Sequence, residues 1–546
     1  MTTLEESPAP PVTVAPSPTL AARAISLRWV SAAEWWWLAL IAALGAIARA
    51  GGLSTGTLYR DDAWVALTHR VALGTATRMV VTTPGFVLAE RFWTGWFPHS
   101  LLVDQLPTFV ASVAGIVIVG RLARWWGLSA PASLVAAGVV AASLADVQYA
   151  TRLKPYAFDL LGACLILWLA ERLRRNGAAG AWWLAAASVG VCCVSLTPVP
   201  LVVGVWVVLV ADAAVRRRLT TRLVASAVAA AIGLAALYVA VRGGISPRLR
   251  HSWIGNYLVL SSPHGLVRSV RTITSGLVGG LGDTTPGLAL HGLGSIDRVA
   301  LIMLVLAGLV AWRRQLLGIG AIVAALAMSV PSLVPIGTGR TDAYLYPALA
   351  MLVAEGATVA WHLARRAGTA VAVGTLVAAL CVSGLVAVDR VTHRPTYPGG
   401  NFAAVAKVVD ATLAEHGRVV IGGTARWPWA YYVAHRVDIG YSDLYNNGYF
   451  PRSDDPRVVV IPGSPIEGGY AASAAAAVAR VRGHCGNVVY VESSDWPSMP
   501  MSLLRALTTA GGLVVLRGPV SVPGYRYWIL TSTLPCPSAA SHAPAG

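Results

Sequence analysis

The feature that most constrains this chain is a series of about eleven apolar runs, at about 30–49, 103–120, 131–149, 155–170, 181–197, 199–215, 222–241, 298–312, 316–336, 343–361 and 369–388. A helix that crosses a bilayer needs about 17–25 mostly apolar residues, and it must pair every backbone N–H and C=O within itself. So many runs exceed what a water-soluble core can enclose. The composition agrees: 56% of residues are hydrophobic, 12% are charged and the mean hydropathy is +0.62. The formal charge of +17 does not point to nucleic acid, because the basic residues form short clusters between apolar runs rather than one stripe.

Those clusters orient the chain, since Lys and Arg in short loops stay on the cytoplasmic side. Arg23 and Arg28, Arg121 and Arg124, Arg172 with Arg174 and Arg175, Arg216 to Arg218 with Arg222, Arg313 with Arg314, and Arg365 with Arg366 fall at every second loop. The alternate loops, 50–102, 150–154, 242–297 and 337–342, then face away from the cytoplasm, as does everything after 389. The expectation is an odd number of spans in the plasma (inner) membrane. Residues 1–29 are rich in Pro and Ser and read as a disordered cytoplasmic tail. Ala48-Arg49-Ala50 mimics a signal-peptidase site, yet the long tail before it and the near-spanning run favour an uncleaved first span. The aromatic stretch Pro84 to Pro98 cannot be a span without inverting every later basic cluster. It reads as a helix lying in the interface, as does 253–281.

From Thr396 the pattern changes to short β-branched runs at Val419–Ile421, Val458–Ile461, Val488–Val491, Leu513–Leu516 and Trp528–Thr531, alternating with helical stretches near 402–415, 470–482 and 500–510. The expectation is a polytopic α-helical membrane domain over 30–395 and a C-terminal extracytoplasmic α/β domain over 396–546. Ile421-Gly422-Gly423-Thr424 lacks the G-x-G-x-x-G spacing, so the domain is assigned no nucleotide. Cys485 and Cys536 share the oxidising side, and their pairing stays open.

Charges at a membrane boundary outside the cytoplasmic clusters are candidates for function. Asp61 and Asp62 follow the first span. Two adjacent carboxylates serve as a general base or hold a divalent cation, and equally well cap a helix beginning at Ala63. Arg152, Lys154 and Tyr156 flank Pro155, which fits the first turn of the fourth span. The cations then lie at a helix N-terminus suited to phosphate, or else snorkel to lipid headgroups. Arg340 stands among glycines in Gly337-Thr338-Gly339-Arg340, where Asp342 and Tyr344 are placed to orient an unobstructed guanidinium. In Ser262–Leu281, His264, Arg268 and Arg271 recur on one helical face opposite Val267, Val270, Ile273 and Leu277. That face meets either anionic headgroups or the site, with His264 and Arg268 as binding residues.

An acidic pair after the first span, an Arg/Lys-Pro-Tyr segment opening the fourth, and Arg340, Tyr344 and Pro347 late in the membrane region together resemble the GT-C glycosyltransferases. The protein O-mannosyltransferases and the lipid A aminoarabinose transferases are the nearest groups. The resemblance covers about 30–390, and the tail resembles the extracytoplasmic domain that many bacterial members append. It implies inverting transfer of a sugar, mannose or arabinose among them, from a polyprenyl-phosphate donor to a hydroxyl of a cell-envelope glycan, lipid or protein, beside membrane lipids and without nucleic acid. It implies Asp61 as base or metal-linked carboxylate, Asp62 standing where the family has Glu, and Arg152, Lys154 and Arg340 against the donor phosphate. No cofactor is implied beyond a compatible divalent cation. The rival classes are a transporter or flippase for a phosphorylated lipid and a scaffold displaying the tail. Neither the paired halves of a transporter nor midplane charges are visible in the sequence.

Overall fold

In the computed structural model, residues 32–53, 57–58, 60–79, 83–97, 100–241, 253–282, 293–392, 400–434, 438–441, 449–461, 470–493 and 499–533 are described. Each apolar run is a helix: Ala32–Ala50, Leu101–Trp125, Ala130–Ala142 with Leu144–Tyr149, Tyr156–Asn176, Ala181–Val194, Val199–Val215, Thr221–Val241, Leu293–Gly308, Leu316–Ser329, Tyr346–Ala367 and Thr369–Thr392. Five helices among the described residues are long and apolar enough to cross a membrane, and several more are apolar but shorter. Large apolar side chains face outward along them, with Trp36 77%, Trp183 73% and Val207 62% exposed. No soluble protein leaves so continuous an apolar surface in water, and this one marks a membrane protein.

Basic clusters at alternate loops meet where antiparallel helices end together. Arg124 pairs with Glu34 at 2.9 Å, and Arg175 lies 5.6 Å from the Trp125 ring. The loops carrying Asp61, Arg152 and Arg340 gather at the other end. The run expected as one helix over 131–149 is divided at Ser143. Arg49, fully buried, answers the carbonyls freed by the break: its Nη atoms donate to Val140 O at 3.0 Å and Ala141 O at 2.9 Å. The Ser143 hydroxyl donates to Gly280 O at 3.0 Å, tying the break to the helix Pro263–Gly282. Arg49, legible in the sequence only as part of a cleavage-like triplet, thus sets the angle at which Leu144–Tyr149 reaches the site.

Strands β1 (Arg418–Ile421), β4 (Val458–Val460), β5 (Val488–Ser493), β6 (Leu513–Val522) and β7 (Tyr525–Ser532) form one sheet in the order β4-β1-β5-β7-β6, and β2 (Asp438–Tyr441) pairs with β3 (Tyr449–Arg452). β1 runs parallel to β4 and β5, while β7 is antiparallel to β5 and β6. The helices Phe402–Ala414, Tyr470–Val481 and Met499–Thr509 alternate with the strands as the sequence pattern implies. The suggested Cys485–Cys536 pairing falls on a residue outside the described ones.

This α/β part does not stand apart. Leu58, Val65 and Leu67 of the first loop share one hydrophobic core with Phe402, Val419, Trp429 and Val489. Thr57 N–H and its hydroxyl both donate to Gly400 O, at 2.8 and 2.6 Å, and Phe402 N–H returns a bond to the Thr57 hydroxyl at 2.9 Å.

Candidate active site

The acidic pair sits in the helix Arg60–Ala66, which starts three residues before the expected Ala63, so both carboxylates lie within its first turn, where negative charge suits the helix dipole. Asp62 is 2% exposed and accepts from Arg152 Nε at 2.6 Å. Burial pushes its carboxyl above the usual carboxylate range, against the pull of Arg152's charge and hydrogen bond. Asp61, half-buried, bears electrostatically on Arg152, Lys154 and Tyr156. The Lys154 ammonium lies 5.2 Å from the Trp64 ring centroid. Burial holds it below its ordinary value, while Asp61 and Asp62 work to keep it charged. Glu90, on the helix Pro84–Trp96, adds a third carboxyl beside Asp62 and Lys154. It is pushed up to about 8 by burial, then by the charges of Asp104 and Asp62. Among the described residues no group of three or more His, Cys, Asp or Glu side chains is arranged to hold a metal ion.

The third segment is a glycine turn closed on a carboxylate. Asp342 accepts backbone N–H bonds from Gly337, Thr338 and Gly339 at 3.2, 2.8 and 2.9 Å. Burial still pushes its carboxyl up to about 6 against those three donors. Gly337 and Gly339 have φ of 76° and 75°, a region that side-chain-bearing residues rarely enter. The Tyr346 hydroxyl donates to Gly339 O at 2.8 Å and fixes the turn from below. Arg340 leaves this turn with its guanidinium 4.4 Å from the Trp253 ring, close enough to act electrostatically on Lys154 and Tyr156.

A cleft of about 490 Å³ opens beside the turn, between Gln148 and Tyr149, the turn itself, and the face of Pro263–Gly282 that carries Arg271, Ser275 and Gly276. A Cβ at Gly276 would come within 1.8 Å of Gly337 O, so the glycine is what lets helix and turn approach. A smaller pocket lined by Asp146, Tyr149, Tyr156 and Arg340 shares Tyr149 and Gly339 with the cleft, which joins it to the charged cluster.

The sequence candidates therefore separate. Asp61, Asp62, Arg152, Lys154, Tyr156 and Arg340 come together from three distant loops. Arg152 does not snorkel to headgroups: it is 5% exposed and paired with Asp62. Arg340 is not unobstructed, because Trp253 covers it, and Asp342 orders the backbone of the turn instead of the guanidinium. Tyr344 is completely enclosed and lines neither cavity, while Tyr346 holds the backbone of the turn at Gly339 and the Arg340 guanidinium lies over Trp253. His264 and Arg268 are exposed and line neither cavity, while Arg271, the last of the same basic series, lines the cleft. Its recurrence on the helical face was the available signal. Glu90, Trp64 and Trp253 had no local signal, because burial and ring contacts across tens of residues define them.

No family profile and no curated protein matches this sequence. Solved structures do. ArnT from Cupriavidus metallidurans in the apo state is 13% identical, with 91% of this chain and 98% of that one covered at a TM-score of 0.50. The same protein bound to undecaprenyl phosphate aligns at 12% identity, 90% and 98% coverage and a TM-score of 0.49. An oligosaccharyltransferase from Archaeoglobus fulgidus in the apo form is 13% identical with a TM-score of 0.43. That alignment covers 75% of this chain, which spans 64% of the oligosaccharyltransferase. These neighbours are GT-C glycosyltransferases, and a helical bundle that carries a strand-containing C-terminal part along nearly the whole of ArnT gives this chain the GT-C fold.

Proposed function

We propose that the chain is a membrane glycosyltransferase that moves a sugar from a polyprenyl-phosphate donor to an acceptor hydroxyl, with inversion, on the extracytoplasmic face of the plasma membrane. The observation that carries this reading is the convergence of Asp61, Asp62, Lys154, Tyr156 and Arg340 beside a cleft walled by Arg271 and a glycine turn. Carboxylates next to fixed cations, at the end of an apolar bundle, suit a reaction whose donor cannot leave the lipid. That ArnT has been solved with undecaprenyl phosphate names the lipid class to test first.

In this reading Asp61 takes the proton of the acceptor hydroxyl as its oxygen bonds to the anomeric carbon. The anomeric carbon–oxygen bond to phosphate breaks, and its electron pair leaves on the polyprenyl phosphate. Arg340 and Lys154, held by Trp253 and Trp64, stabilise that charge in a site poor in water, where fixed cations are worth more than solvent. Asp62 holds Arg152 and so fixes the second loop against the first. The small-residue face of Pro263–Gly282 admits the donor, with Arg271 at the mouth. The test is to incubate the purified full chain with a panel of polyprenyl-phosphate sugars and assay released lipid phosphate. Release from at least one donor, abolished by Asp61→Asn, supports the proposal, and no release from any donor overturns it.

A further inference from the structure

The short helix Arg426–Tyr432 of the C-terminal part contacts the helix carrying the carboxylates before, within and after its length. Before it, Leu58 N–H donates to the Tyr432 hydroxyl at 2.8 Å. Within it, Trp64 stacks on Trp427 with ring centroids 5.5 Å apart and planes 23° from parallel. After it, Arg70 donates to Tyr431 O at 2.7 Å and lies 4.6 Å from the Tyr431 ring. Trp427 is 4% exposed, and the Trp64 ring that it supports is the one that carries the Lys154 ammonium. A column therefore runs from the C-terminal sheet through two indoles to a cation of the candidate site.

We propose that Trp427 is a positioning residue for that site: it supports Trp64, which places Lys154 beside Asp61 and Asp62, so the C-terminal domain is a working part of the transfer centre. This rests on the transferase reading above. The physical argument is one of stiffness. A lysine stem has several rotatable bonds, and its ammonium keeps one position only where something rigid fills the space behind it. An indole backed by a second, buried indole supplies that, with added attraction between ring face and cation. Without Trp427, Trp64 tilts into the vacated volume and water reaches Lys154. A reacting group displaced by about 1 Å costs up to about 100-fold in rate.

The experiment uses the full chain in detergent with a polyprenyl-phosphate sugar, comparing the parent with Trp427→Ala, Trp427→Leu and Trp427→Phe. Leu fills most of the space without a ring and serves if Ala fails to fold; Phe keeps a ring. Three readouts are taken: amide hydrogen exchange of the Arg60–Ala66 helix, kcat, and the alkaline limb of the kcat/KM profile. The expected result for Ala and Leu is faster exchange, kcat lowered by roughly tenfold or more, and an alkaline limb at higher pH as hydration relieves the burial that holds the Lys154 ammonium down. Phe restores all three, and in a Lys154→Arg background the limb no longer moves. A lower rate with an unmoved limb, or unchanged exchange in Ala and Leu, overturns the positioning role while the parent still transfers sugar. An inactive parent overturns the transferase reading, so the two failures are distinct.

Discussion

The buried pair between Asp62 and Arg152 gives the most discriminating substitution. The two side chains meet at 2.6 Å and are 4% and 6% exposed, and they join loops 90 residues apart. Removing one partner of such a pair leaves a charge in a medium that cannot solvate it, a loss of about 3–5 kcal/mol. Asp62→Asn keeps the shape and abolishes the charge, so Arg152 becomes the uncompensated group. If the docked first loop and C-terminal part unfold as one unit of about 200 residues, that loss lowers the melting temperature by about 6–20 °C. Arg152→Gln should cost a similar amount. The double variant should recover a large share, because neither charge is then stranded, so the cycle should return a coupling at least as large as one single loss, about 3–5 kcal/mol or more. Asp61→Asn, at a half-buried position, should leave melting within about 0.5 kcal/mol of the parent and abolish turnover. Melting is followed by intrinsic fluorescence in detergent, and turnover by released lipid phosphate. A parent-like melting temperature for Asp62→Asn, or equal destabilisation by Asp61→Asn, refutes the division of labour between the two aspartates.

Arg340→Lys should lower kcat/KM by about 10²-fold or more although charge is kept, because an ammonium reproduces neither the stack on Trp253 nor the planar fork; a loss under threefold in a donor-saturation assay contradicts this. Glu90 gives a pH signature whose sign is fixed. Its folded value of about 8 stands above the ordinary 4.5, so the unfolded chain gives up the proton first and stability falls as pH rises from about 4.5 to about 8. Glu90→Gln removes that slope: melting curves of variant and parent should coincide near pH 4.5 and separate by pH 8 with the variant higher. For topology, single cysteines at exposed His416 and Asn176, in a background with all six native cysteines changed to Ser, should differ in intact cells, 416 labelling with an impermeant maleimide and 176 not. The reverse pattern inverts the assigned orientation.

The fold was legible wherever one residue spacing decides an element. Apolar runs of spanning length announce helices, and the short runs rich in β-branched residues at 419–421, 458–460 and 488–491 announce strands that the sheet then joins. The break at Ser143 was not legible, since residues 131–149 read as one mostly apolar run on both sides of that serine and the group that makes the break affordable, Arg49, lies some 90 positions away. The shared core of the first loop with the C-terminal part was hidden for the same reason. Leu58 and Phe402 look locally like ordinary apolar residues, and only three-dimensional packing makes them neighbours.

At the candidate site, several residues singled out in the sequence converge, but with partners other than those expected. Arg152 and Arg340 stood out because basic residues are scarce in those loops, yet scarcity cannot say that one finds a carboxylate and the other an indole. The two aspartates were closer to being resolved than adjacency implies. On a helix, residues three and four apart share a face, while neighbours diverge by about 100°. Asp62 therefore shares a face with Val65 and Ala66, both apolar, and Asp61 with Val65 and the amphipathic Trp64. The structure follows that division: 62, 65 and 66 are buried, and 61 and 64 are half-exposed. The carboxylate on the apolar face had to find a cation, and did so in Arg152. Its neighbour, half-exposed, borders the indole that carries Lys154, and it is this carboxylate that the proposed mechanism uses as base.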